Sequence, residues 1–345
     1  MRIAGTAAIL ACLHCGVVGA QPLQGRAVAV EGMPPKTDNL SAVVVLGNRV
    51  VLADDEQRLL LVGERRPDAA ITISAQPPLP GPGTREFDLE GLAVSGDIVY
   101  AIGSHSAARR SADDDRRSQA DNLKRMHETV REDADRKVLF RLQLGPDGSV
   151  AKQATSSLQD IIAAEARRDS KTEGLLARAV GVPGKENGLD IEGLAVEGHT
   201  LWVGFRGPVL RHGYVPVLRV SAASFPTVVR EELLLVSLGG RGIRDLARVS
   251  GGFLVLAGAV GDGDQSTQLV FWDGRSCVAG KDVPACTTRV LGEIAPVNGL
   301  DGGGAAAVGH AEGVAVLEDA PAHLRVLVVF DGVQGGAPTE FVIKR

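Results

Sequence analysis

The sequence predicts an all-β fold, a β-propeller of five blades closed by an N-terminal strand, on three observations. One phrase recurs along the chain: DLEGLAV at Asp88–Val94, DIEGLAV at Asp190–Val196 and HAEGVAV at His310–Val316. Each copy is followed by a turn and a strongly β-forming run, IVYAIGSHS from Ile98, LWVGFRGP from Leu201 and HLRVLVVFDG from His323. The 43 glycines, 17 prolines and 3% aromatics among 345 residues describe a turn-rich chain with a core of Val, Leu, Ala and Ile.

Two degenerate copies complete the frame. TDNLSAVVV from Thr37 precedes RVVLADDE, and GIRDLARV from Gly242 precedes GFLVLAGAVGD. Further strand-like runs give about four strands per unit of roughly 50 residues, with no helix between units, which is the pattern of propeller blades. The last unit is one strand short. GRAVAVEG from Gly25 supplies that strand and closes the ring, removing an exposed sheet edge; six blades is the alternative count.

Two insertions interrupt the pattern. Residues 107–136 are dense in charge and place Leu123, Met126 and Val130 on one helical face. Residues 156–189 open on a capping signal at Ser157, carry Leu158, Ile161 and Ile162 on one face and end in VGVPGKENGLD. Each reads as a solvated excursion or as a lid.

Lys+Arg 37 against Asp+Glu 42, a net charge of -5, leave no basic footprint for nucleic acid or anionic membrane. Residues 1–20 read as a cleaved signal peptide: Met1-Arg2, an apolar stretch, then Val18-Gly19-Ala20 before Gln21. A lipoprotein box at Ile9–Cys12 is the competing reading. No later segment reaches the roughly 18 apolar residues of a membrane span. The expectation is one periplasmic or secreted propeller over residues 21–345, monomeric, with a small polar or anionic molecule or a periplasmic protein as partner. Cys277 and Cys286, an even pair in SCVAGKDVPAC, then read as a local disulfide.

Antiparallel alternation brings the starts of first strands and the ends of second strands to one face of the disc. Asn39, Glu90, Glu192, Arg244 and Glu312 occupy the starts, with Asp88, Asp190 and His310 two residues earlier. Asp54, Asp55, Glu56, Ser104, His105, Arg206, Asp262, Asp264 and Asp331 come from the ends. These residues form the candidate ligand-binding mouth, with His105 as a donor or lone base. Three converging glutamates need a counter-charge. Arg244 is one solution, a Ca²⁺ held by Glu90, Glu192 and Glu312 is another, and Glu-Gly repeats that serve only blade architecture are the third reading. Asp262-x-Asp264-x-Ser266 opens like a calcium loop but lacks its turn glycine and final Glu. No zinc-protease, serine-hydrolase, phosphate-loop or dinucleotide motif is present.

ADDE at Ala53–Glu56, DLEG at Asp88 with SHS at Ser104, GLDIEGLA from Gly188, GFRGP from Gly204 and GIRDLA from Gly242, in that order, resemble the bacterial family called domain of unknown function 3616. The resemblance spans Val43–Val316, with Asp190 standing where an Asn is common, and implies no activity. More loosely, Glu-Gly at blade starts is similar to phytase-like and gluconolactonase-like exported propellers, a likeness of fold alone. Two functions compete on these residues: binding of a small polar or anionic ligand at the mouth, and Ca²⁺-assisted hydrolysis of an ester, lactone or phosphoester.

Overall fold

The computed structural model describes residues 21–81, 83–110, 112, 117–167, 174–261, 263 and 265–345. The signal-peptide reading of residues 1–20 lies outside them, as do Asp262 and Asp264. Five blades follow one another along the chain. Blade 1 comprises Leu40–Leu46, Arg49–Asp54, Leu60–Arg65 and Ile71–Ala75, and blade 2 Leu89–Ser95, Ile98–Gly103, Leu139–Leu144 and Val150–Ser156. Blade 3 comprises Asp190–Glu197, Thr200–Gly207, Tyr214–Ser224 and Thr227–Ser237, and blade 4 Gly242–Val249, Gly252–Gly258, Thr267–Trp272 and Thr288–Ile294. Blade 5 is built on Ala306–Ala320, His323–Asp331 and Thr339–Lys344. The first strands of successive blades touch one another, and those of blades 5 and 1 close the circle.

This closure explains the apolar runs in the sequence. A second strand such as Arg49–Asp54 faces blade 2 through Val51 and Ala53 and blade 5 through Val50 and Leu52, so all four are buried. The core is a set of layers between blades. One apolar cluster lies between blades 1 and 2, one across blades 2, 3 and 4, one between 4 and 5, and one between 5 and 1.

The closing segment does more than a single strand would. Gly25–Ala27 pairs antiparallel with Thr339–Phe341 as the fourth strand of blade 5. Val30–Glu31 then pairs parallel with Ile71–Thr72 at the outer edge of blade 1. Val28, between them, is buried in the layer between those two blades. The ring is therefore fastened across its seam, and Glu340 adds ion pairs to Arg26 and Arg65 on either side of it.

Both insertions contain a helix. Ser118 caps Gln119–Met126, but Leu123 and Met126 are 51% and 58% exposed, so the apolar face expected there is not packed. The other helix, Gln159–Arg167, receives a cap from Ser157 Oγ, which accepts from Gln159 N–H at 3.2 Å, and it buries Leu158 and Ile162. A bridge between Ala107 and Pro183 ties the two insertions together, as does an ion pair from Arg109 to Glu186 at 2.8 Å. Cys277 and Cys286 form the expected disulfide. It staples a blade 4 loop whose Cys277 N–H donates to Leu235 O of blade 3 at 2.7 Å. No helix among the described residues is long and apolar enough to cross a membrane.

Candidate functional site

Every innermost strand is bulged at the same place. The register shifts between Leu40 and Ala42, Leu89 and Gly91, Ile191 and Gly193, Ile243 and Asp245, and Ala311 and Gly313. The extra residue of a bulge is unpaired and its side chain re-aimed. Here those residues are Ser41, Glu90, Glu192, Arg244 and Glu312, and all five line one axial cavity of about 860 Å³. Asn39, expected at the blade 1 position, instead bridges Asp331, and Ser41 takes its place because Val43-Val44 stand where Leu92-Ala93 stand in blade 2.

The glycine after each glutamate has a separate cause. A Cβ on Gly193 would lie 2.7 Å from Ile243, and one on Gly313 2.9 Å from Ala42 Cα. Only glycine lets the next inner strand approach so closely. Below the bulges, Leu92, Leu194, Leu246 and Val314 are buried in an apolar layer that lines a separate, smaller pocket and serves as the floor beneath the bulge residues. Asp245, next to Arg244, points away from the cavity into that floor. Its carboxylate accepts from Leu246 N–H and Val314 N–H, both at 2.7 Å, tying blade 4 to blade 5.

One wall is built on arginine. Arg244 Nη1 lies 2.9 Å from Glu192 Oε2 and 2.9 Å from Glu312 Oε1. Arg206 Nη1 reaches Glu192 Oε1 at 2.7 Å and Asp190 Oδ2 at 3.7 Å, while its Nε donates to Val260 O at 2.6 Å. These contacts use Nε and Nη1 of Arg206 and Nη1 of Arg244, and Nη2 of each guanidinium donates to no described residue. Burial would raise the Glu192 carboxyl, but Arg206 and Arg244 together hold it below its usual range. Burial pushes Glu312 up to about 8 against the pull of Arg244. Burial and the Glu192 charge push Asp190 up to about 8 as well. The arginines serve Glu192 first, and its neighbours hold protons more readily.

The opposite wall, at the junction of blades 1 and 2, is built on carboxylates. Asp55, Asp88 and Glu90 each present an oxygen within 4.8 Å of the others. Arg136 donates to Asp88 at 3.0 Å and to Glu86 at 2.6 Å, and no ion pair reaches Asp55 or Glu90 among the described residues. Burial, with the Asp88 charge second, raises both Asp55 and Glu90 well above the usual carboxylate range.

The expected site residues divide accordingly. Asp55, Asp88, Glu90, Asp190, Glu192, Arg206, Arg244, His310, Glu312 and Asp331 line the cavity. Asp54, Glu56, Ser104 and His105 do not. Asp54 is buried beside the cavity and pushed up to about 7 by that burial, and Glu56 is exposed. Ser104 is buried and bonded to Ser106 Oγ at 2.8 Å.

His105 corrects the expectation of a base at the mouth. Its Nδ1–H donates to Gly103 O at 2.9 Å and its Nε2 accepts from Leu158 N–H at 3.1 Å. Both nitrogens are used, so the ring is a neutral anchor for the helix of the second insertion, and burial lowers it to about 4. The calcium set of Glu90, Glu192 and Glu312 is also divided by this geometry. Arg244 occupies Glu192 and Glu312, and Glu90 sits with Asp55 and Asp88.

Sequence reasoning missed Ser41, Arg136 and Asp245. It also named no individual insertion residue at the mouth, where Ala107, Arg109 and Arg131 of the first insertion and Pro183 and Lys185 of the second line the cavity.

No curated protein matches this chain. Among solved structures, one of an S. cerevisiae dbp5 variant bound to nup159, a gle1 variant, IP6 and ADP aligns over 94% of this chain and 95% of its own, at 11% identity and TM-score 0.30. The apo AztD structure from Citrobacter koseri aligns over 89% of this chain and 90% of its own, at 12% identity and TM-score 0.31. The motifs that frame the blades and the cavity have a closer counterpart. A family model matches residues 39–337, most of the chain, and the chain belongs to that family, described as protein of unknown function (DUF3616).

Proposed function

We propose that this protein is an exported binding protein for one small polar molecule, held in the axial cavity with an anionic or acceptor group toward Arg206 and Arg244. One observation carries the reading: the same cavity is lined by an arginine-carboxylate group, in which Nη2 of Arg206 and of Arg244 donates to no described residue, and by a group of carboxyls, Asp55, Asp88 and Glu90, with Arg136 on Asp88. A volume of about 860 Å³ falls within the range of roughly 300–1,000 Å³ typical of small-molecule sites. Guanidiniums held by Glu192, Glu312 and Val260 O also orient a ligand without reorganising on binding. The disulfide and the composition of residues 1–20 support an oxidising, extracytoplasmic compartment.

Binding ranks ahead of hydrolysis because His105, the histidine expected to act as its base, has both ring nitrogens committed to Gly103 O and Leu158 N–H. A thermal-shift panel of acidic sugars, amino acids, organic acids and phosphoesters tests the reading. At least one class is expected to raise Tm with concentration, as a ligand of the folded state does by mass action. Failure of every polar and anionic class at millimolar concentration would count against it.

A further inference from the structure

We infer that Asp55, Asp88 and Glu90 form a site for one hard divalent cation, Ca²⁺ in first place, at the junction of blades 1 and 2. The three residues come from separate pieces of chain: Asp55 follows the second strand of blade 1, Asp88 precedes the first strand of blade 2, and Glu90 is its bulge residue. One oxygen from each lies within 4.8 Å of the others. That matches one ion, because two oxygens bound to the same Ca²⁺ at about 2.4 Å stand at most about 4.8 Å apart.

An independent observation points to a missing partner. Asp55 Oδ1 is closed off from solvent and accepts no hydrogen bond, an arrangement that is costly unless something electropositive completes it. Charge agrees in sign. Arg136 is shared between Asp88 at 3.0 Å and Glu86 at 2.6 Å, so the three carboxylates keep an excess of negative charge that a divalent cation offsets. The donors are all oxygen, with no sulfur or imidazole among them, which favours a hard ion over a transition metal. All three residues face the cavity, from which water or a ligand oxygen fills the remaining positions of a six- to eight-coordinate ion. Glu192 and Glu312 take no part because Arg244 already holds them.

The site shares the cavity of the ligand reading above, but its probe is Ca²⁺ alone, so either reading can fail while the other stands. The full chain, stripped with EDTA and desalted, is titrated with CaCl₂ by calorimetry and melted across a Ca²⁺ series. The expected result is one Ca²⁺ per chain and a Tm that rises with Ca²⁺ and falls back with EDTA. Glu90→Gln is expected to weaken binding at least tenfold, and Glu232→Gln, a surface change on blade 3, to leave it unaltered. Asp88→Asn replaces Glu90→Gln as the test if the latter does not fold by circular dichroism. A wild-type melt and calorimetric trace indifferent to millimolar Ca²⁺ would overturn the inference, as would a folded variant that binds Ca²⁺ as wild type does.

Discussion

Arg244 Nη1 sits 3.1 Å from Oε1 and 2.9 Å from Oε2 of Glu192, so one guanidinium nitrogen caps the whole carboxylate of the neighbouring blade. The same nitrogen reaches Glu312 on the other side, and three consecutive blades meet at one charge. Glu192 is 2% exposed. Arg244→Ala therefore leaves Glu312 without its ion-pair partner and Glu192 with Arg206 alone, and a loss of about 3–5 kcal/mol is expected in urea denaturation. Glu192→Gln, which strips both arginines of their main partner, is expected to cost a similar amount. A loss below about 1 kcal/mol for both would show that the cluster is not a buried ion pair.

Asp245 fixes the floor. Asp245→Ala leaves the Leu246 and Val314 N–H groups buried without acceptors, at about 1–3 kcal/mol each. A cost of about 2–6 kcal/mol is expected. Amide exchange at Val314 is expected to accelerate well beyond that of blade 2 amides. Exchange that rises equally in all blades would point to general destabilisation instead.

His105 gives the acid limb of stability its slope. Its folded value of about 4 lies below the ordinary 6.5, so the unfolded chain binds the proton first as pH falls. The contribution is whole above pH 6.5 and lost progressively between about 6.5 and 4, amounting to about 3 kcal/mol. Asn tolerates the positive φ of 54° at this position. Wild type is expected to lose about 3 kcal/mol more than His105→Asn between pH 7 and 4, and parallel curves would contradict the neutral-anchor role.

Removing residues 21–31 strips the seam strap from blades 5 and 1. The outer edge at Thr339–Lys344 is then open for pairing with another chain. A Tm lower by roughly 5–10 °C and concentration-dependent association on a sizing column are expected. An unchanged, monodisperse protein would mean that closure does not depend on this segment.

The five-blade ring was legible because the Glu-Gly phrase carries two demands at once. The glycines admit the next inner strand, and the bulge residues must be polar to face the cavity. What stayed hidden depends on one-residue or long-range geometry. LSAVVV mimics the Leu-Ala pair of the other copies, so nothing local marks Ser41 rather than Asn39 as the bulge residue. Asp245 follows Arg244 directly, and only a register shift sends one to the floor and the other to the cavity. His105 finds its partner 53 positions away at Leu158, beyond any local pattern. Asp54, Asp55 and Glu56 are consecutive acids, and the turn after the second strand brings only Asp55 to the cavity.

Binding in the axial cavity against Arg206 and Arg244 is tested most directly by isothermal titration of the best ligand from the panel into wild type and Arg206→Lys, both in EDTA. Lysine keeps the charge beside Glu192 but loses the planar fork and its Nη2 donor. The expected result is one site per chain in wild type and at least about tenfold weaker binding in the variant, the scale of one charge-assisted hydrogen bond. Equal affinity in the two proteins, with the fold intact by circular dichroism, would contradict it.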